Sequence, residues 1–262
     1  GNTAVGYQAL DANTTGAENV AVGKAALSAN TTATQNVAIG TEALQDNTTG
    51  ANNVAVGSGS LKETTTGGVN TALGNFALRD NTTGGNNVAV GKDALLSNTG
   101  SFSNVAIGTR ALDAFNVTTA TSTYNVAVGE DALGACTTGV ENTAVGGEAM
   151  ILNTTGSYNV AVGRDALQAN TTGAQNNAFG NNALGSNTTA NDNTAMGSGA
   201  LTTNTTGAAN TGIGRAALNA NTTAANNTAV GYYALVANTT GDTNVAVGKD
   251  SMKSNTTGTN NT

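Results

Sequence analysis

The strongest constraint on this chain is a period. The text returns to Asn-[Val/Thr]-Ala-apolar-Gly at Asn2, Asn19, Asn36, Asn53, Asn70, Asn87, Asn104, Asn125, Asn142, Asn159, Asn176, Asn193, Asn210, Asn227 and Asn244. These fifteen repeats are all seventeen residues long except the one from Asn104, which has twenty-one. Counting each such Asn as place 1, Gly holds place 5 in all fifteen repeats, and Ala holds place 3 in fourteen, with Gly212 the exception. A short fixed period marks a solenoid, in which each repeat is one coil that buries its face only by stacking on its neighbours.

Seventeen residues are too few for two helices and their turns, and Gly at place 5 with Asn-Thr-Thr-Gly at places 12 to 15 would interrupt a helix twice per coil. Asn-Val-Ala-Val-Gly alternates as a strand does. The segment around Ala-Leu at places 8 and 9 is shorter and reads as a second strand or a tight corner, and Asn-Thr-Thr-Gly reads as a turn. The expected fold is an all-β parallel β-solenoid, or β-roll, of fifteen 17-residue coils with two short strands per coil. Residues 1–262 form one repeat domain, with an irregular coil over 104–124. Fifteen coils at ~4.8 Å each predict a rod of about 70 Å. The text opens just before one repeat and stops two residues into another, which reads as an excerpt of a longer fibre.

Identical residues then fall in columns. The place-1 Asn column is expected to pass side-chain amide hydrogen bonds from coil to coil, as stacked amides do in cross-β arrays. The Thr columns are expected to hydrogen-bond across neighbouring coils. Two arrangements of the apolar places compete. Place 4 is always apolar and place 9 is always Leu or Met. Either both lie within the coil, or the interior is thin and made of small residues, with the large ones turned outward against other chains.

At NVAIGTEA, NVAVGKDA and NVAIGTRA the chain resembles the head repeats of trimeric autotransporter adhesins. The fuller pattern, NTAVGYQAL followed by NTTG, is similar to repeat regions of phage tail fibres that carry a C-terminal self-cleaving chaperone. The resemblance covers all fifteen repeats. It implies a left-handed roll, packing as a homotrimer, and a place on a cell surface or virion. The unit here is longer than the usual adhesin head unit.

Composition narrows the chemistry. With no His, the commonest general base and metal ligand is missing. Carboxylates occur mainly in the variable places, as in Lys92-Asp93, Arg164-Asp165 and Lys249-Asp250, and read as a solvated rim. No phosphate-binding glycine fingerprint and no calcium-binding nonapeptide occurs. The reading is of no enzyme, no cofactor and no metal. A net charge of −7 offers no basic surface for nucleic acid, and no apolar run approaches a membrane span. Cys136 stands where most repeats have Asn and reads as a simple substitution.

Asn-Thr-Thr also fits the glycosylation acceptor at Asn13, Asn30, Asn47, Asn81, Asn153, Asn170, Asn187, Asn204, Asn221, Asn238 and Asn255, although turn chemistry explains the same residues. The irregular coil carries FNVTTATSTY from Phe115 to Tyr124. With Phe102 it holds three of the nine aromatics, so Phe102, Phe115 and Tyr124 are the candidate receptor contacts. The expected function is an extracellular structural or adhesive fibre segment that associates with itself and meets a host-surface glycan or protein. A dedicated glycan- or ice-binding solenoid is the alternative.

Overall fold

The computed structural model describes residues 1–262. The protein is an all-β parallel solenoid in which every repeat supplies one three-residue strand, at places 2 to 4. The chain forms two compact units, Gly1–Asp131 and Ala132–Thr262. The first holds eight strands, β1 (Thr3–Val5) through β8 (Val126–Val128), and the second holds seven, β9 (Thr143–Val145) through β15 (Val245–Val247). Within each unit every strand pairs in parallel with the strand one repeat on. In the first unit Val37 faces Val54, Ala38 faces Ala55 and Ile39 faces Val56; in the second, Ala161 faces Ala144. The step between partners is one repeat, so each residue stands over its own counterpart.

One expected feature is corrected. Places 6 to 11 form a run of turns, not a second strand. Places 7 and 9 take left-handed backbone, as at Glu42 (φ 59°) and Leu44 (φ 50°). The reason is geometric: the chain must reverse direction within a few residues, and extended backbone cannot do so. Axial hydrogen bonding survives the turn. The Glu42 amide donates to the Lys24 carbonyl at 2.9 Å, and the Leu44 amide donates to the Ser60 carbonyl at 3.0 Å. Left-handed backbone costs an L-residue on the order of 1–2 kcal/mol. It persists here because neighbouring coils hold both polar groups of the turn.

The two competing interiors combine. Place 9 points in: Leu27, Leu44, Leu61 and Leu78 in the first unit, and Leu167, Leu184 and Leu201 in the second, are fully buried. Beside them lie the small residues of places 3 and 8, such as Ala38 and Ala43. Place 4 points out, as strand alternation requires once Ala at place 3 points in; Ile39, Leu73, Ile107, Phe179 and Met196 are all exposed. Gly at place 5 lies where neighbouring coils approach closely. At Gly40, φ is +139°, and a Cβ there would lie 2.5 Å from the carbonyl oxygen of Gly57.

Candidate functional site: buried ladders and exposed columns

From Asn19 to Asn244 the Asn residues at place 1 line up and are buried; several pass the expected amide hydrogen bond between coils, as Asn87 Nδ2 does to Asn70 Oδ1 at 3.2 Å, and they also act as clamps. At Asn53, Oδ1 accepts the Asn70 backbone amide at 2.9 Å and the Asn70 Nδ2 at 3.1 Å. Its Nδ2 crosses the coil to donate to the Gly67 carbonyl at 2.9 Å. Its own amide donates to Asn36 Oδ1 at 2.9 Å, and its carbonyl accepts from the Val37 amide at 2.8 Å. Every polar group of the residue is thus satisfied inside the roll, which is what a buried amide requires. The same clamp recurs in the second unit, where Asn176 Nδ2 donates to the Ala190 carbonyl at 2.8 Å.

A second side-chain ladder runs through place 12. Asn170 Nδ2 donates to Asn153 Oδ1 at 2.8 Å and to the Gly173 carbonyl at 2.9 Å, while Asn170 Oδ1 accepts from Asn187 Nδ2 at 2.9 Å. This corrects the glycosylation reading. Asn30, Asn47, Asn81, Asn153, Asn170, Asn187, Asn204, Asn221 and Asn238 are fully buried, and their Nδ2 hydrogens are committed to the ladder and the turn. Asn13 and Asn255, half-buried, still donate, to the Gly16 carbonyl at 3.0 Å and to Asn238 Oδ1 at 2.9 Å. A sugar on any of these nitrogens would occupy the interior. Asn at place 12 in twelve of the fifteen repeats was the available signal; the acceptor motif and the ladder are written in the same letters.

Three residues interrupt this column: Thr64, Phe115 and Cys136. At Thr64 the ladder breaks, and the buried Asn47 Oδ1 has no hydrogen-bond partner. Thr64→Asn supplies the missing Nδ2 donor and is expected to stabilise the fold by about 1 kcal/mol in urea unfolding. An unchanged or lower midpoint would count against the ladder as a source of stability.

Cys136 is buried. Its thiol donates to the Gly139 carbonyl at 3.6 Å, and burial pushes its pKa from 9.0 up to about 12. A thiol held protonated is a poor nucleophile. Cys136 is therefore expected to resist a thiol-labelling reagent at pH 8 until the chain unfolds. The folded pKa lies above the unfolded one, so the thiol's contribution to stability is complete below pH 9 and falls as pH rises from 9.0 toward about 12. Cys136→Ser should remove that loss in unfolding measurements across this range.

The candidate receptor contacts separate. Phe115 is fully buried at place 12 and is the largest side chain in the interior; it is a core residue and not a contact, because the extra chain that follows it is carried outside while place 12 still points in. Phe102 is half-buried. Its amide donates to the Thr121 carbonyl at 3.0 Å, and its carbonyl accepts from the Thr123 amide at 3.0 Å, so the insertion rejoins the axial bonding there. Tyr124 is exposed, as are residues 118–122.

Threonine forms two columns with different fates. At place 13 the Thr14 hydroxyl donates to the Thr31 carbonyl at 2.9 Å, an oxygen that also accepts the Thr14 and Thr15 amides at 2.9 and 3.1 Å. Place 14 is exposed, as at Thr15, Thr32 and Thr49. The rim charges pair: Lys92 with Asp93 at 3.4 Å and Arg164 with Asp165 at 3.3 Å. Asp250, by contrast, lies 3.3 Å from Lys253 and not against Lys249. Lys62, bonded to Glu42 at 2.8 Å, holds the Glu42 carboxyl below its usual range. Such exposed pairs contribute little to stability.

In each unit the outward strand face is a surface feature that repeats from coil to coil. Places 2 and 4 carry no charged residue in any repeat, and place 4 is apolar throughout, in a chain with 25 charged side chains. No family model matches the chain, and no curated protein matches it.

Proposed function

We propose that the chain is a structural and adhesive fibre segment that works outside the cell, performs no catalysis and associates with itself through the outward strand face. The observation that carries this reading is the pair of uncharged columns at places 2 and 4. In the first unit they present Val54 and Ile39, 37% and 41% exposed, and in the second Phe179 and Met196, 38% and 43% exposed. Exposed apolar side chains recurring as at place 4, with no charge beside them, mark an interaction site more often than bare solvent contact. The interior of buried Leu and Ala side chains supports a mechanical role, since both buried Asn columns serve packing. Three chains per assembly is the number the adhesin resemblance implies, and Tyr124 with the neighbouring exposed insertion offers a place for host contact.

Light scattering on the eluting protein tests self-association. The expected mass is a multiple of 25.5 kDa. Ile39→Glu combined with Leu73→Glu and Met196→Glu should reduce it to a single chain with unchanged far-UV circular dichroism. A wild-type chain that elutes as a monomer at tens of micromolar removes the proposal.

A further inference from the structure

Nine Lys and Arg residues serve the whole chain. Six of them, Lys62, Arg79, Lys92, Arg110, Arg164 and Lys253, have a carboxylate within 4.0 Å. Lys24, Arg215 and Lys249 do not. Two of these three unpaired cations flank the same tyrosine. Arg215, Tyr232 and Lys249 occupy place 6 of successive coils, and the turns fix that stack: the Tyr233 amide donates to the Arg215 carbonyl at 3.1 Å, and the Asp250 amide donates to the Tyr232 carbonyl at 2.9 Å. The Arg215 guanidinium carbon lies 5.8 Å from the Tyr232 ring centre and 5.8 Å from that of Tyr233. Lys249 Nζ is 5.9 Å from Tyr232, and Lys253 Nζ is 5.7 Å from Tyr233. The two rings meet edge to face with centres 4.3 Å apart. Asp250 is the one carboxylate in the group, and it offsets Lys253.

We infer that Arg215, Tyr232, Tyr233 and Lys249 form a binding site for an anionic saccharide. This goes beyond the fibre reading and does not depend on self-association. Charge is the first reason. On a chain of net −7, two uncompensated cations one coil to either side of an exposed ring make a local positive patch that attracts a carboxylate or sulfate. Hydrogen bonding is the second. Arg215 Nη1 donates to Tyr232 Oη at 3.2 Å, which leaves the phenol's own proton free to donate to an anion oxygen. The two tyrosines are the third, because they supply apolar ring surface with a polar tip, suited to the mixed faces of a sugar. An acidic peptide would use the cations but has less need of the rings. The cation–ring contacts also hold the side chains in place before a ligand arrives, which lowers the ordering cost of binding.

Titration calorimetry on the full chain at low salt tests the site with four polymers: polygalacturonate, dextran sulfate, neutral dextran and polyglutamate. One or both charged polysaccharides should bind, and which of them binds identifies the anion. Arg215→Gln with Lys249→Gln should weaken that binding at least tenfold, and Tyr232→Phe about threefold. Lys24→Gln with Lys62→Gln removes as much charge elsewhere and should leave it unchanged. The inference is overturned by a failure of both charged polysaccharides to bind, by dextran or polyglutamate binding as tightly, or by equal losses in the two charge-matched double variants. Circular dichroism of each variant confirms an intact fold, which substitutions at these surface positions should leave undisturbed.

Discussion

Gly40→Ala should be among the most damaging single substitutions in the chain, with an expected loss of about 4 kcal/mol in urea unfolding. Two effects add. The backbone at Gly40 has φ +139°, a conformation that L-residues adopt at a cost of roughly 1–3 kcal/mol. The new methyl would also lie 2.5 Å from the Gly57 oxygen and 2.6 Å from its carbonyl carbon, so two coils would have to separate. Separation is not local, because the bonds from the Gly57 amide to the Ile39 carbonyl and from the Gly59 amide to the Thr41 carbonyl bracket the same contact. Gly173→Ala is the matched control. Its Cβ is nominally crowded by Asn170 and Ala190, yet Ala33, Ala190 and Ala224 occupy the equivalent place 15 and remain buried. The backbone evidently accommodates a methyl there, and the expected change is within about 1 kcal/mol. Equal losses for the two variants would show that crowding at place 5 is not special.

A second large effect is expected at Asn53. Asn53→Asp keeps the shape but exchanges the Nδ2 donor for an oxygen that faces the Gly67 carbonyl, and it places a negative charge in the interior. Asn53 is fully buried, so the loss at pH 7 should be about 4–5 kcal/mol. The sign of its pH dependence follows from desolvation, which raises the folded pKa of the new carboxyl above its unfolded value of about 3.9. Stability is then best below pH ~4, where the protonated acid donates to Gly67, and falls as pH rises through the folded pKa. Asn53→Ala, which loses the same bonds without the charge, should cost about 3 kcal/mol with no such slope. A flat pH profile for the aspartate variant would mean that water reaches the column.

These effects explain which parts of the structure were legible in the sequence. The period and the invariant Gly of place 5 announced a stacked coil, because only a repeating contact needs the same residue without a side chain every time. The inside and outside of the strand were not legible: Val-Ala-Val satisfies alternation with either face buried, and the choice is made by Leu at place 9, which fills the space that Ala at place 3 leaves. The second strand was misread because Leu44 and Glu42 carry no local signal for positive φ; the hydrogen bonds of adjacent coils impose it. Glycosylation at Asn30 and its counterparts stayed open beside turn chemistry because the motif describes three letters and not whether the amide has partners. At Phe115 the aromatic cluster drew attention to the right segment and the wrong residue. The pair Tyr232-Tyr233 was passed over because its cations lie seventeen residues away on either side, visible only when the columns are read vertically.

The clamp at place 1 has an evolutionary consequence. Each coil offers its successor the same Oδ1 and receives the same amide, so the junction between two coils does not depend on which two they are. Duplication or loss of a whole unit by unequal recombination would leave matching donors and acceptors at the new seam. A gene of this design can change the length of its product in whole-coil steps while selection acts separately on the letters displayed at the corners.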